Sequence, residues 1–566
     1  MSSIASGVSI AELQRHVEAI AQWVRLSGTP DEARAFDYIE EVLTGFGYDV
    51  QRYECDALIG YPLEASLELL GDAPRSFQAN GYSFTPSTPD EGLTGELVYV
   101  GQGRPADYEG IDAQGKIVLS EGLANPGKAL AAQQAGAIGQ IHINRERIYE
   151  MCISPVWGTP TPETADLLPK LPAIGITRED GETLKSLLES GPVQVRFVSR
   201  THLDWGKLPT LTADLPGAQE DRYVLFSGHV DSWHYGAMDN GTANATQLEV
   251  ARLLAERKDE LRRGVRLAFW SGHSHSRYAG SAWYADTFWH DIHERCVCHV
   301  NVDSVGGMGA TLLDVVPTMA STYGFAREIM HEQLGVELKY VRMGRFSDQS
   351  FWGHGVPALF ATFSAQPNDD TLPPNGSSGG PRGGGLGWWW HTPEDTLDKI
   401  DPAFFERDAR VYAETLWRLC TEERLPFDYA AVADDLAATL ERYEADSGGA
   451  LDLGRARELA GQLASALRGG ALDELDAETA NQLILELGHI LIPVDYTRSG
   501  PFDHDLALPA PPLPGLSDAS KLKDLDPKSS DYQFLRTRLL RERNRVEHAL
   551  RAAIKQVEQV VGSQIP

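Results

Sequence analysis

The chain has 566 residues, with 81 acidic against 50 basic side chains, which gives a formal net charge of −31. So acidic a surface repels phosphate backbones and anionic lipid, which argues against a nucleic-acid or membrane partner. The 42% hydrophobic content excludes wholesale disorder. The five scattered cysteines suit a reducing compartment. The N-terminus lacks the pattern of a signal peptide, and no apolar run reaches the ~20 residues of a membrane span. We therefore expect a soluble, cytoplasmic protein.

The first 200 residues show two different sequence patterns. Helical spacing of apolar residues predicts two amphipathic helices between residues 10 and 47, and a strand follows them. From about 60 to 200 the chain turns to short apolar strands, Gly and Pro turns and two helical stretches. This pattern of short strands, turns and helices predicts a small α/β module inserted into a larger domain.

Strand and helix patterns alternate again from 205 to 425, where apolar runs end in polar residues. This alternation predicts an open α/β sheet, and such sheets place their sites at the carboxyl ends of strands. A Gly-rich stretch at 373–391 interrupts the pattern and ends in three tryptophans. After 428 the chain is predicted to be helical, with a long last helix from about 530 to 561. An apolar stripe on that helix favours packing or dimerisation, and it comprises Leu535, Leu539, Val546, Leu550, Ala553 and Val557.

Five residues carry the candidate chemistry. They are His229 and Asp231 in SGHVDSW, Asp239 in MDNG, Asp303 in NVDS and His391 in WWWHTPEDT. Imidazole and carboxylate groups from several strand ends suit a divalent metal, and a shared aspartate can hold two ions about 3.5–4 Å apart. Any one of these residues could be a helix-capping aspartate or a structural core histidine. Their order along the chain together favours a two-metal hydrolytic site.

The series HVDSW, DNG, NVD and HTPEDT resembles the co-catalytic zinc aminopeptidases, in the branch that includes glutamate carboxypeptidase and the transferrin receptor. The resemblance implies an α/β fold with a mixed, mostly parallel sheet sandwiched by helices. It also implies three units. Residues 1–58 and 202–428 form the catalytic domain, 59–201 resemble a β-rich protease-associated domain, and 429–566 resemble the helical dimerisation domain of transferrin-receptor type. A homodimer through the C-terminal helices is expected on this basis.

The resemblance also implies roles for the five residues. His229 and Asp303 would bind one metal, Asp239 would bridge, and His391 would bind the second. Asp231 would orient His229 from behind. Two zinc ions are therefore the expected cofactors.

One element departs from the family. Family enzymes carry a Glu-Glu pair after the strand that ends here at Trp270, the first as general base and the second as ligand of the second metal. This chain has His273-Ser274-His275 there, and the interval from Trp270 to Gly280 is one residue longer than in the family. Counting from Gly280 puts Ser274 in the base position and His275 in the ligand position, whereas counting from Trp270 puts His273 and Ser274 there. A bulge at Ser274 would place His273 as base and His275 as ligand. We favour this third reading, because imidazole can do both jobs and because residues 273 and 275 of a strand face the same way.

The pattern predicts a hydrolase of an amide or peptide-like bond that uses a dinuclear metal site and metal-activated water. An imidazole ligand also suits iron, nickel or copper, so the metal identity stays open. Candidate substrate-binding residues are Arg277, Arg345, Ser347, Asp348 and Trp390. Two alternatives remain open at this point. One is a mononuclear hydrolase of a small non-peptide amide, with its metal on His229, Asp239 and Asp303. The other is an inactive, receptor-like scaffold.

Overall fold

The computed structural model describes residues 3–219, 221–363, 365–367, 386–469 and 474–562. Its strands are β1 (Asp49–Leu69), β2 (Arg75–Gln78), β3 (Asn80–Gly81), β4 (Leu93–Tyr99), β5 (Ile117–Glu121), β6 (Gly139–Ile143), β7 (Ala173–Ile176), β8 (Gln194–Leu215), β9 (Tyr223–His229), β10 (Gly264–Trp270), β11 (Cys296–Asn301), β12 (Pro317–Thr318), β13 (Val341–Arg342) and β14 (Ala358–Leu359). Its longer helices are α1 (Ile10–Ile20), α2 (Pro30–Gly45), α3 (Pro126–Gln134), α4 (Arg178–Ser190), α5 (Ala243–Glu256), α6 (Ala279–Thr287), α7 (Trp289–Arg295), α8 (Ala320–Leu334), α9 (Pro402–Thr421), α10 (Tyr429–Asp446), α11 (Gly454–Leu467), α12 (Ala477–Tyr496) and α13 (Ser530–Gly562).

Parallel strands form the centre of the sheet near the candidate site. β10, β9, β11 and β14 lie side by side in parallel, and β8 joins β10 in antiparallel orientation. Val224 and Phe226 of β9 pack into the core that α1, α5 and α9 share. Tyr223 and Leu225 face the opposite side and pack with α6 and α7. β9 is apolar throughout because both of its faces are covered. The mixed sheet between helices confirms the predicted fold class.

A long ribbon connects this sheet to the inserted module. β1 and β8 pair antiparallel from Asp49 opposite Asp214 to Leu69 opposite Val195, with a bulge between Pro62 and Glu64. β4 pairs with the far part of β8, and β5, β6 and β7 continue from β4 in parallel. The domain boundaries that we expect at 58/59 and 201/202 therefore fall inside two continuous strands, so shared backbone hydrogen bonds connect the two units.

The helices after residue 428 pack on one another and on α8. The apolar stripe of α13 is used within the chain, because Leu539, Val546, Leu550, Ala553 and Val557 are buried in the core that α13 shares with α11 and α12. Leu535 is only half-buried beside it. None of the helices in the described ranges is long and apolar enough to cross a membrane.

Candidate metal centre

Three of the candidate residues follow the carboxyl ends of neighbouring strands. His229 ends β9, Asp303 comes just after β11, and His273 comes just after β10. Because β11, β9 and β10 are adjacent and parallel, their carboxyl ends meet at one edge of the sheet. One ligand atom from each of the three side chains lies within 4.8 Å of the other two. The strand-end pattern thus brings these residues together as expected.

Asp239 lies on an irregular turn, Ala237–Thr242, between β9 and α5. Asp395 holds this turn, because its carboxylate accepts hydrogen bonds from the Met238 and Asp239 amides at 2.9 and 3.0 Å. Burial raises the pKa of Asp395 to about 7. These two hydrogen bonds hold the Asp239 backbone, and the Asp239 side chain lines the cavity of the site.

The Asp239 carboxylate lies between two imidazoles. Its Oδ1 is 3.2 Å from His229 Nε2, and its Oδ2 is 3.0 Å from His391 Nε2. On their other side, His229 Nδ1 lies 2.8 Å from the Asp231 carbonyl oxygen and His391 Nδ1 lies 2.6 Å from that of Glu150. A carbonyl oxygen can only accept, so each Nδ1 donates. Each Nε2 then faces the Asp239 carboxylate, where a proton or a cation between nitrogen and oxygen would hold the two together.

This donor set fits a divalent cation. His229 Nε2 and Asp239 Oδ1 are buried without a hydrogen-bond partner, although they face each other. Burial alone would lower the pKa of His229, but the carboxylates of Asp239 and Asp303 raise it well above its usual value. Burial alone would raise the pKa of Asp239, yet His229 and His391 hold it far below its usual range. Positive charge is stabilised at this point, as it would be at a site for zinc or a similar ion.

Asp231 is fully buried, but its carboxylate does not orient His229 as we expect from the sequence. The His229 contact is made by the Asp231 carbonyl, and the carboxylate oxygen stays 3.7 Å from Nδ1. The carboxylate instead accepts hydrogen bonds from the His273 amide (3.1 Å), the Ser274 amide (2.9 Å) and the Ser27 hydroxyl (3.0 Å). Burial opposes its ionisation, but His275 and His229 lower the pKa of Asp231. Asp231 therefore holds the segment His273-Ser274-His275.

That segment is a turn, so the prediction that residues 273 and 275 share a strand face is wrong. Residues 273–277 form consecutive turns between β10 and α6, and Arg277 and Tyr278 both have positive φ. The Asp231 carboxylate stabilises this turn by accepting hydrogen bonds from two successive backbone amides. His273 and Ser274 consequently line the cavity beside Asp239, as in the register counted from Trp270.

His275 is fully buried beside Asp231 and is not part of the metal-ligand group found among the described residues. Its Nδ1 is 2.9 Å from the Ser27 hydroxyl and 3.6 Å from Asp231 Oδ2, and its Nε2 is buried without a hydrogen-bond partner among the described residues. Its ring packs edge-on against Trp233 with centroids 4.3 Å apart. That His275 binds the second metal therefore stays a prediction.

The expected substrate residues Ser347 and Asp348 contact the site residues instead. Ser347 donates a hydrogen bond to Asp303 Oδ2 at 3.2 Å and also lines the cavity. Asp348 is buried, and its Oδ2 lies 2.6 Å from His273 Nδ1 while its Oδ1 accepts from the Ser281 hydroxyl at 2.7 Å. With both oxygens occupied, Asp348 supports His273 and does not face a substrate.

The site opens into a cavity of about 450 Å³ with mostly apolar walls. Trp390 forms one wall and stacks on His391, with ring centroids 3.5 Å apart. Arg277 is the only lysine or arginine among the lining residues within the described ranges. Its buried Nε has no hydrogen-bond partner. Trp390 and Arg277 are thus placed where the sequence analysis expects substrate contacts.

Arg345 is not placed there, which corrects its assignment to the substrate. Its guanidinium donates to the carbonyls of Gln349 (2.6 Å) and Asp505 (3.1 Å) and lies over the Trp157 ring at 3.8 Å. Burial lowers its pKa to about 10. It stabilises the loop that carries Ser347 and Asp348. Of the Gly-rich stretch at 373–391, residues 373–385 lie outside the described ranges.

Sequence reasoning missed three contributors to the site. Asp395 is the last residue of the HTPED motif, which is used above only for its histidine, so its place in that motif was the available signal. Glu150 belongs to the inserted module, and nothing local indicates that its carbonyl would accept from His391. Tyr278 lines the cavity and places its ring edge-on to His273, with centroids 4.8 Å apart. A buried tyrosine beside the atypical histidines was a weak signal.

Comparison with known proteins finds two matching domain families and several relatives. Residues 210–416 match the family described as Peptidase family M28, and residues 93–184 match the PA domain. A probable glutamate carboxypeptidase of Zea mays is 23% identical over 512 residues, which cover 75% of this chain and 69% of that protein.

Two solved structures share the fold. The aminopeptidase from Aneurinibacillus sp. strain AM-1 aligns with a TM-score of 0.56 at 23% identity, over 73% of this chain and 95% of that one. A zinc aminopeptidase from Bacillus subtilis aligns with a TM-score of 0.55 at 20% identity, over 75% and 97%.

Proposed function

We propose that the chain, whose residues 210–416 match the M28 peptidase family, is a metallohydrolase of the co-catalytic zinc peptidase type. It cleaves a peptide or peptide-like amide bond at an asymmetric metal site. The observation that carries the proposal is the Asp239 carboxylate with an imidazole Nε2 at 3.2 Å from one oxygen and at 3.0 Å from the other. Two imidazole lone pairs on one carboxylate are the donor set of a bridged pair of cations.

The two metal positions differ in their donors. His229, Asp303 and Asp239 would hold the first ion, which gives it the three protein ligands usual at catalytic zinc. His391 and Asp239 would hold the second, with the Ser274 hydroxyl where the family has a carboxylate. Among the described residues, Asp239 is the only carboxylate within 4.0 Å of a His391 nitrogen. Because hydroxyl is a poor zinc ligand, we infer that the second ion binds more weakly than the first. A single tightly held ion is the second candidate, which the compact group of His229, His273 and Asp303 favours.

When bound, the metal would polarise the scissile carbonyl and make a water molecule more acidic. The chain supplies the remaining chemistry. His273 lies beside Asp303 and His229, and its Nε2 would take the proton of the attacking water and pass it to the leaving amine. Trp390 and Tyr278 cover the site and exclude bulk water. Arg277 would pair with a negative group of the substrate.

Metal analysis and turnover together test this proposal. Protein stripped with a chelator should hydrolyse no member of an aminoacyl-amide and dipeptide panel, and added zinc should restore turnover. Zinc titration should show one tight and one weaker equivalent. His391→Ala should retain the tight equivalent and lose the weaker one, whereas His229→Ala should lose the tight one. Undiminished turnover by chelator-treated, metal-free protein would overturn the proposal.

We also propose a homodimer through the C-terminal helices. The stripe of α13 is used internally, so a partner would meet its outer face, where Phe534 is 72% exposed. Sedimentation at micromolar concentration checks this. A dimer that Phe534→Asp converts to monomer is the expected result, and a wild-type monomer contradicts it.

A further inference from the structure

We propose that a directed chain of hydrogen bonds, from Trp157 through Ser350 and Ser281 to Asp348, fixes His273 in the tautomer that keeps its Nε2 free to accept a proton. This inference rests on the proposed function for its catalytic consequence, but the tautomer itself can be measured without turnover. Asp348, Ser281, Ser350 and Trp157 are positioning residues in this scheme.

The direction of the chain follows from what each group can donate. The Trp157 indole can only donate, and its Nε1 lies 2.9 Å from the Ser350 hydroxyl oxygen. Ser350 therefore accepts there. Because Ser281 uses its one hydrogen on the Asp348 carboxylate, which can only accept, Ser350 turns its own hydrogen to the Ser281 oxygen, 2.9 Å away. Ser281 then has its hydrogen for Asp348 Oδ1 at 2.7 Å. The Tyr278 carbonyl, at 3.2 Å, is the more distant and uncharged alternative acceptor for Ser281.

The last link sets the histidine. Asp348 Oδ2 lies 2.6 Å from His273 Nδ1, and a carboxylate can only accept. Nδ1 therefore carries the hydrogen, and Nε2 presents a lone pair. The His273 ring stacks on His229 with centroids 3.8 Å apart, and one of its nitrogens lies within 4.8 Å of ligand atoms of His229 and Asp303. Because Nδ1 is bonded to Asp348, we assign that nitrogen as Nε2. A carboxylate–imidazole pair of this kind replaces the carboxylate base that the segment lacks.

This series of hydrogen bonds is buried and connects the inserted module to the larger α/β domain. Trp157, Ser281, Asp348 and Ser350 are all at most 4% exposed. Trp157 comes from the inserted module and stacks on Tyr278 with centroids 4.0 Å apart. Ser347 and Asp348 are both held at positive φ. Strained backbone persists where the surroundings determine it, which here places the Asp348 carboxylate against His273.

Asp348→Asn is the discriminating variant. With the direction of the hydrogen bonds retained, Ser281 donates to the amide oxygen, so the amide nitrogen of the new side chain points at His273 Nδ1 and displaces the hydrogen to Nε2. In zinc-loaded protein labelled with ¹⁵N-histidine, the His273 signals should switch from the Nδ1–H to the Nε2–H tautomer. We expect kcat to fall by roughly 10⁴-fold, as when a base histidine is locked in the wrong tautomer, with KM changed less than threefold and zinc content unchanged.

A rescue separates this mechanism from simple structural damage. Adding Ser281→Ala to Asp348→Asn frees the amide to rotate, so its oxygen can accept from Nδ1 and kcat should recover at least tenfold. Trp157→Phe should lower kcat only a few-fold, because it removes the far end of the chain. Asp286→Asn, the same change on the outer part of α6, is the matched control and should leave kcat, KM and zinc content unaltered.

Three results would overturn the inference. They are an Nε2–H tautomer in the wild-type protein, loss of zinc in Asp348→Asn, which would make His273 a ligand, and absence of rescue in the double variant. Failure of the proposed function is distinguishable, because zinc-loaded wild-type protein would then hydrolyse no substrate of the panel while the ¹⁵N signals still report the tautomer.

Discussion

Replacing Asp231 by asparagine should both destabilise the protein and slow it, because this carboxylate holds the turn that carries His273. Its oxygens accept from the His273 amide, the Ser274 amide and the Ser27 hydroxyl, all in a fully buried setting. In either orientation the new amide nitrogen faces a donor, so at least one backbone N–H loses its acceptor. A hydrogen bond to a charged group contributes about 1.5–3 kcal/mol, and the bonds that remain become weaker. We expect the free energy of unfolding to fall by about 3 kcal/mol.

Urea unfolding followed by tryptophan fluorescence measures the first effect, and steady-state kinetics of zinc-loaded protein measures the second. A displacement of His273 by about 1 Å should lower kcat by about 100-fold. Asp31→Asn is the matched control, because that aspartate forms an exposed ion pair with Arg34 and its removal should cost less than about 1 kcal/mol. The reasoning is refuted if Asp231→Asn unfolds within 1 kcal/mol of wild type and keeps kcat within threefold.

Three further predictions follow from particular residues. His275→Ala should retain all bound zinc while losing about 2 kcal/mol of stability from its packing on Trp233, and metal loss from this variant would show that His275 is a metal ligand. Arg345→Ala should lower the melting temperature and leave KM unchanged. Arg277→Ala should raise KM for carboxylate-bearing substrates about tenfold and leave the melting temperature within about 2 °C of wild type. The opposite pair of results would reverse the two assignments. Burial lowers the pKa of His299 to about 4, from 6.5. Because the unfolded chain takes up the proton first, the stability due to neutral His299 is complete above about pH 6.5 and declines by up to about 3 kcal/mol as the pH falls to 4. Melting temperatures from pH 7 to 4.5 should therefore fall less steeply in His299→Gln, and parallel curves would contradict this.

The sequence by itself determined the parts of this protein that depend on local pattern. Buried strands covered on both faces appear as continuous apolar runs, so β9, β10 and β11 were recognisable, and so was the order of polar residues at their ends. Because parallel strands end at one edge, His229 and Asp303 could be expected to meet. Asp239 and His391 were recognisable from their motifs, and the family resemblance added their roles. The helices after residue 428 were recognisable from their periodicity.

Tertiary structure decided which side chains face the metal position. The choice between His273 and His275 depended on the conformation of a turn, and that turn is shaped by the Asp231 carboxylate, which lies 42 residues earlier in the chain. The partner of His273 is Asp348, 75 residues later, and a contact at that separation leaves no local signal. The sequence could also show that the segment 273–275 contains no carboxylate. It could not show that the buried Asp348 carboxylate binds the His273 imidazole. Local periodicity reports which faces are buried, whereas hydrogen bonds between distant segments decide where a polar side chain points.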